Sequence, residues 1–163
     1  MELNRRQVVV SALLAAGACF WPAPAVAQEY WINLVRVSKP WAPPTRPGVR
    51  TASVYMAIEN RSGELERLTH VQTPVAERAS FVDEEPARGI VESINYIELR
   101  ARREVVLRPG RLHIKLEGLK QPLVKGTTFP LTVTLGNRSS VEIRVEVEDR
   151  KSTRLNSSHI PLS

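Results

Sequence analysis

FPLTVTLGNRSSVEIRVEV, residues 129–147, alternates apolar and polar side chains on both sides of a five-residue polar break. Phe129, Leu131, Val133 and Leu135 share one face of the first half, and Val141, Ile143, Val145 and Val147 share one face of the second. A period of two is the signature of a half-buried strand, and GNRSS, opening on Gly136, is a connection short enough for a hairpin. The same period recurs upstream. In ASVYMAIEN, residues 52–60, Val54, Met56 and Ile58 alternate against Tyr55 and Ala57, giving another strand that ends near Asn60. REVVLRPGRLHIKLEGL, residues 103–119, offers two apolar segments joined by RPGR, where Pro109 and Gly110 suit a tight turn.

The remaining segments fit the same class. WINLVRV, residues 31–37, reads as one strand, and the prolines at 40, 43, 44 and 47 make KPWAPPTRPG an extended crossing segment. LERLTHVQTP, residues 65–74, is noisier but β-like. Residues 75–101 suggest a short strand, a charged loop through Pro86 and Gly89, and a second strand or bend, and KQPLVKG forms a loop around Pro122. Seven or so short strands without a long amphipathic helix indicate an all-β protein, a β-sandwich or closed barrel. Asn60, Asn137 and Asn156 each begin an Asn-x-Ser triplet and read as turn residues.

The chain has 163 residues, 42% of them hydrophobic and 25% charged, an ordinary composition for one domain. Residues 1–27 are expected to be an export signal: Arg5 and Arg6 precede the apolar run VVVSALLAAGACFW, and Ala25, Val26 and Ala27 supply a small-x-small cleavage site. NRRQVV resembles a twin-arginine signal, which places the protein in the periplasm by that route or by the general one. AGAC, residues 16–19, loosely resembles a lipid-attachment box, so membrane association is expected only if Cys19 is lipidated. Residues 28–150 form the expected β-sandwich domain, long enough to bury about two-thirds of their extended surface. Residues 151–163 lack periodicity and read as a disordered tail or a sequencing artefact.

Within 28–150, 19 Lys and Arg against 16 Asp and Glu leave a charge of +3, mixed along the strands with no arginine-rich arm or stacking motif. Nucleic-acid binding has little support in that pattern. The segment contains no cysteine, so a chain cleaved after Ala27 has no disulfide, no cysteine nucleophile and no blue-copper thiolate. G-x-S-x-G, H-E-x-x-H and P-loop patterns are likewise missing, and the reading is that of a non-enzyme.

One residue stands out chemically. In the strand around His113, Leu112, Ile114 and Leu116 share the apolar face, which puts His113 and Lys115 together on the other. Two donors at that spacing would grip one metal, yet an ammonium at 115 has no lone pair until deprotonated. His113 thus reads as a hydrogen-bonded structural residue, part of an altered metal site, or another interaction. Met56 belongs to a core face, and His70 reads as a solvated or hydrogen-bonded residue. Asp83, Glu84 and Glu85 form an acidic loop, or else supply hard oxygen ligands or an ion pair for Lys115.

Taken in order, WINLVRVSKPWAPPTRPG, ASVYMAIENRSGELERLTHVQTPVAERASF, VVLRPGRLHIKLEGLKQPLVKGTTFPLTVTL and VEIRVEV resemble the periplasmic copper chaperones called PCu(A)C. The likeness spans nearly all of residues 31–148 and implies a cupredoxin-like β-sandwich. Family members hold copper with a His, a Met eleven residues later, and a His-x-Met pair further along. Aligned on AERASF, those positions fall on Val82, Ser93, His113 and Lys115, with the interval from Ser93 to His113 about two residues short. One ligand of four survives. The resemblance implies a role in delivering Cu(I) to a copper-site apoprotein, or with a respiratory oxidase assembly protein, while the residues imply weak or absent Cu(I) binding. The alternative on the same fold is a periplasmic interaction or accessory module that binds no metal.

Overall fold

The computed structural model describes residues 28–150. The segment 1–27 with Cys19, and the segment 151–163 with Asn156 and His159, lie outside the described residues. Eleven strands run in chain order: β1 Glu29–Ile32, β2 Val35–Ala42, β3 Thr51–Asn60, β4 Glu66–Gln72, β5 Ala76–Glu85, β6 Ile90–Ile94, β7 Ile97–Leu99, β8 Arg103–Leu107, β9 His113–Leu119, β10 Thr128–Leu135 and β11 Ser140–Val147. A 3-10 turn, Pro86–Arg88, joins β5 to β6.

The hydrogen-bonded path is β6-β5-β9-β3-β2-β11-β10-β4-β7, with β1 added to β2 and β8 added to β3. It folds into a β-sandwich about the long strand β3. The N-terminal half of β3 pairs with β9, through Val54↔Ile114, and its C-terminal half pairs with β2 and β8, through Ile58↔Val37 and Ile58↔Val105. The hairpin expected at 129–147 forms as β10 and β11, with Val133 opposite Val141 and Phe129 opposite Val145. Its apolar face meets Val54, Met56, Ile58 and Ile114 in one buried cluster. That common face is what the period-two pattern encodes.

Three local features depart from the sequence reading. WINLVRV is two strands: Asn33, at φ 53°, turns the chain so that β1 folds back on β2. Asparagine tolerates that left-handed conformation better than other side chains. Second, β2 continues through Pro40 to Ala42, where a ladder was expected to break. A bulge between Ser38 and Trp41, with Lys39 at φ 52°, absorbs the proline that cannot donate to a neighbour. Before the bulge β2 carries β1 on one side, and after it β11 takes over in a short parallel pairing, Glu146↔Trp41. Third, RPGR forms a turn, closed by Arg108 N–H to Leu112 C=O at 2.9 Å, but β8 and β9 do not pair with each other. Both pair with β3, end to end along its same side, so the turn is an excursion within one line of strand.

Asn60 closes the far end of β3. It is fully buried; its Nδ2 donates to Glu64 C=O at 2.8 Å and Leu99 C=O at 2.7 Å, and its Oδ1 accepts from Ser62 N–H at 2.9 Å. Asn137 likewise accepts from Ser139 N–H within the β10–β11 turn.

Candidate functional site

The antiparallel register of β5 explains why residues distant in sequence meet. His113 lies directly across from Val82, and Val82 directly across from Ser93 on β6. Directly opposed residues of a ladder project to the same face, so all three side chains emerge in a row from the outer surface of the sheet. Lys115, two residues along β9, lies on that face too, between Ser53 and Ser80. The four sequence-predicted positions therefore converge, although they come from three strands.

What they present is chemically mixed. Val82 is buried aliphatic surface, Ser93 is exposed, and Lys115 is half-buried with its Nζ 3.0 Å from Glu117 Oε1. The ion pair between Lys115 and the acidic run at 83–85 does not form; Glu117, two residues along on the same face, is nearer and takes the ammonium. His70 is exposed on β4, and Met56 is buried in the core.

His113 is only 3% exposed and is one of two buried polar side chains among the described residues. Its Nδ1 lies 2.8 Å from the Arg111 carbonyl oxygen. A carbonyl only accepts, so Nδ1 is the protonated nitrogen and the other ring nitrogen is free to accept, ligate or carry a second proton. That nitrogen, Nε2, lies 3.8 Å from Glu84 Oε1, beyond hydrogen-bonding distance. Glu84 stands on the same face as Val82, two residues further along β5.

An aromatic wall backs the imidazole. The Tyr55 ring centroid is 6.0 Å from that of His113 and 4.8 Å from that of Trp41, whose other neighbour is the Arg150 guanidinium at 5.0 Å. Burial raises the Tyr55 phenol above its ordinary value, a Ser53 hydrogen bond pulls the other way, and the nearby Glu84 carboxylate adds to the rise. Tyr55 was legible as an outer-face residue from its alternation with Val54 and Met56; that Trp41 would join it depended on the bulge in β2. Over His113 opens a cleft of about 290 Å³, lined by Pro43, Thr45, Ser53, Glu84 and Lys115 among others. Among the described residues, no group of three or more His, Cys, Asp or Glu side chains converges to hold a metal.

The LpqE-like lipoprotein family matches residues 35–147, from the start of β2 to the end of β11. The chain belongs to the LpqE-like family. No curated protein matches it. Among solved structures, the copper-bound PCuAC domain from PmoF2 matches at 21% identity and a TM-score of 0.66, covering 74% of this chain and 97% of that one. The apo PCuAC domain from PmoF1 gives the same identity and TM-score, covering 74% and 98%. The Cu(I) form of DR1885 from Deinococcus radiodurans matches at 22% identity and a TM-score of 0.60, covering 77% and 84%. This LpqE-like chain therefore has the cupredoxin-like fold of PCuAC domains, as the sequence resemblance implied.

Proposed function

We propose that this protein is a periplasmic, copper-chaperone-like member of the LpqE-like family whose Cu(I) site is reduced to one ligand, His113. The reading is supported by one juxtaposition. Val82, Ser93, His113 and Lys115 share a face, yet a methyl pair, a hydroxyl and a paired ammonium stand around the single imidazole. Cu(I) is held by soft thioether and imidazole donors, and an ammonium repels it. The retained part of a chaperone's work is then recognition of a partner, a copper-site apoprotein or an oxidase assembly protein, through the cleft above His113. Export through residues 1–27 accounts for the compartment, and lipidation of Cys19 is the route to a membrane tether. Anaerobic Cu(I) titration of the purified chain against a calibrated chelator tests the reading. No effective competition is expected, and stoichiometric binding that His113→Ala abolishes overturns it.

A second reading, an interaction module with no metal at all, draws on a different feature. A largely apolar cleft of about 370 Å³ opens between Pro74–Val75 and the loop around Pro122, with Leu123, Val124 and Phe129 in its lining. Val124 is 59% exposed there and leaves apolar surface available to a partner.

A further inference from the structure

One end of the sandwich is built from three loops stitched into a single surface. The segment 43–50, between β2 and β3, and the segment 120–127, between β9 and β10, exchange two hydrogen bonds: Thr45 N–H to Leu123 C=O at 3.0 Å and Leu123 N–H to Thr45 Oγ1 at 2.8 Å. The segment 73–75, between β4 and β5, joins them where Lys120 N–H donates to Val75 C=O at 3.0 Å. What this end presents is basic and aliphatic. Arg46, Arg50, Lys120 and Lys125 are exposed, and the three segments contain no Asp or Glu. They hold +4 of a domain whose net charge is +3, which leaves the rest of the domain at −1.

Acids that flank this end are already committed, Glu77 to Arg50 and Glu148 to Arg150. Arg46, Lys120 and Lys125 pair with no carboxylate among the described residues. Val49 adjoins Arg50, Val124 adjoins Lys125, and both valines are exposed. Free cations beside exposed aliphatic groups match a surface of anionic headgroups over hydrocarbon. The course of the chain favours that partner over an acidic protein. β1 runs antiparallel to β2 with Glu29 opposite Ser38, so Gln28 opens the domain on the side of β2 that leads into 43–50. Residues 1–27 thus join the domain toward its basic end, and Cys19, nine residues before Gln28, is within about 30 Å of extended chain. A single acyl chain binds a bilayer only marginally, and a basic patch is one way to supply the second attachment.

We infer that loops 43–50 and 120–127 form a docking surface for an anionic phospholipid membrane, which holds the domain end-on at the bilayer. The surface is independent of the copper reading: the His113 cleft shares Pro43 and Thr45 with the first loop but none of the four cations. Arginines also stand at the opposite end, at Arg102, Arg103 and Arg138, but there the β3–β4 turn adds Glu64 and the chain does not enter.

The test is co-sedimentation of the chain from Gln28 onward, which holds every strand and lacks the apolar run of residues 8–21, with vesicles of phosphatidylcholine alone and of phosphatidylcholine mixed with phosphatidylglycerol. Binding is expected to the mixed vesicles only and to weaken as salt is added. Each cation near an anionic surface is worth about fivefold in affinity, so Arg46→Gln, Lys120→Gln and Lys125→Gln together should weaken binding at least about tenfold. All three side chains are exposed, and thermal unfolding should show the variant as stable as the native chain. Arg102→Gln, Arg103→Gln and Arg138→Gln together remove the same charge from the far end and should leave binding unchanged. Equal losses in the two triple variants, or no binding to the mixed vesicles, overturn the inference. Binding to poly-glutamate without binding to the vesicles overturns it as well and assigns the surface to an acidic protein.

Discussion

Replacing Asn60 by alanine should cost this domain about 3 kcal/mol, a figure that follows from where its hydrogen bonds end. The side chain is fully buried and spans three segments: it ties the end of β3 to the following turn through Glu64 C=O and Ser62, and to the end of β7 through Leu99 C=O. The contacts to Ser62 and Glu64 lie at a partly exposed turn, where water replaces much of what is lost; together they are worth about 1 kcal/mol net. The bond to Leu99 is buried, so alanine strands a carbonyl without a partner, at about 2 kcal/mol. Urea unfolding followed by Trp fluorescence should show the midpoint falling by roughly 2 M at an m value of about 1.5 kcal/mol/M, with a Tm lower by about 12 °C. Asn60→Asp sharpens the test. It preserves the shape and the acceptor but sets a carboxylate oxygen against two carbonyls, so its loss at neutral pH should equal or exceed that of alanine. A loss below 1 kcal/mol in Asn60→Ala would refute the claim that this residue latches the end of β3.

Further outcomes follow from the site and its supports. Gly118 sits within β9 at φ +69°, and a Cβ there would stand 2.8 Å from Glu77 Cβ, so Gly118→Ala should destabilise by about 2 kcal/mol, measured by thermal unfolding. Truncating Glu77 to alanine should recover only the clash with its carboxyl group, because its Cβ and the positive φ at 118 remain. The Tyr55 phenol is raised by burial, so its contribution to stability is complete below the ordinary tyrosine value near pH 10 and disappears as pH rises through the folded value. Absorbance titration near 295 nm should find one phenol ionising later than the others, and Tyr55→Phe should remove both that step and the associated fall in urea midpoint. Arg50 and Glu77 are each 66% exposed, so Glu77→Gln should change stability by less than about 0.5 kcal/mol despite their 3.0 Å contact. Installing His, Met and Met at Val82, Ser93 and Lys115 should create Cu(I) binding in the competition assay, because the register already places these positions beside His113.

The layered fold could be read from alternation because strands such as β3, β10 and β11 bury one face only, and a single register satisfies Val54, Val133 and Val145 together. Where the reading failed, the deciding interaction was not periodic. The hairpin at Asn33 rests on one residue's tolerance of positive φ, and the passage of β2 through Pro40 rests on a bulge whose register belongs to β3. The end-to-end placement of β8 and β9 is set by their shared partner and by nothing in RPGR itself. For the site, the sequence yielded His113, its face and its substituted companions through the family spacing. The partners of His113 were less accessible: Arg111 C=O is backbone, and Glu84 stood out only as one of three consecutive acids. Which of those acids faced the imidazole depended on strand register, and Glu117 took Lys115 because it is two residues away on the same face.

Anaerobic Cu(I) competition, run side by side on the native chain and the Val82→His, Ser93→Met, Lys115→Met triple variant, bears most directly on whether the soft-metal site was lost through its side chains on an intact frame. The native chain should leave the chelator's copper in place while the variant withdraws one equivalent. Stoichiometric Cu(I) uptake by the native chain, abolished by His113→Ala, would contradict the account at its centre.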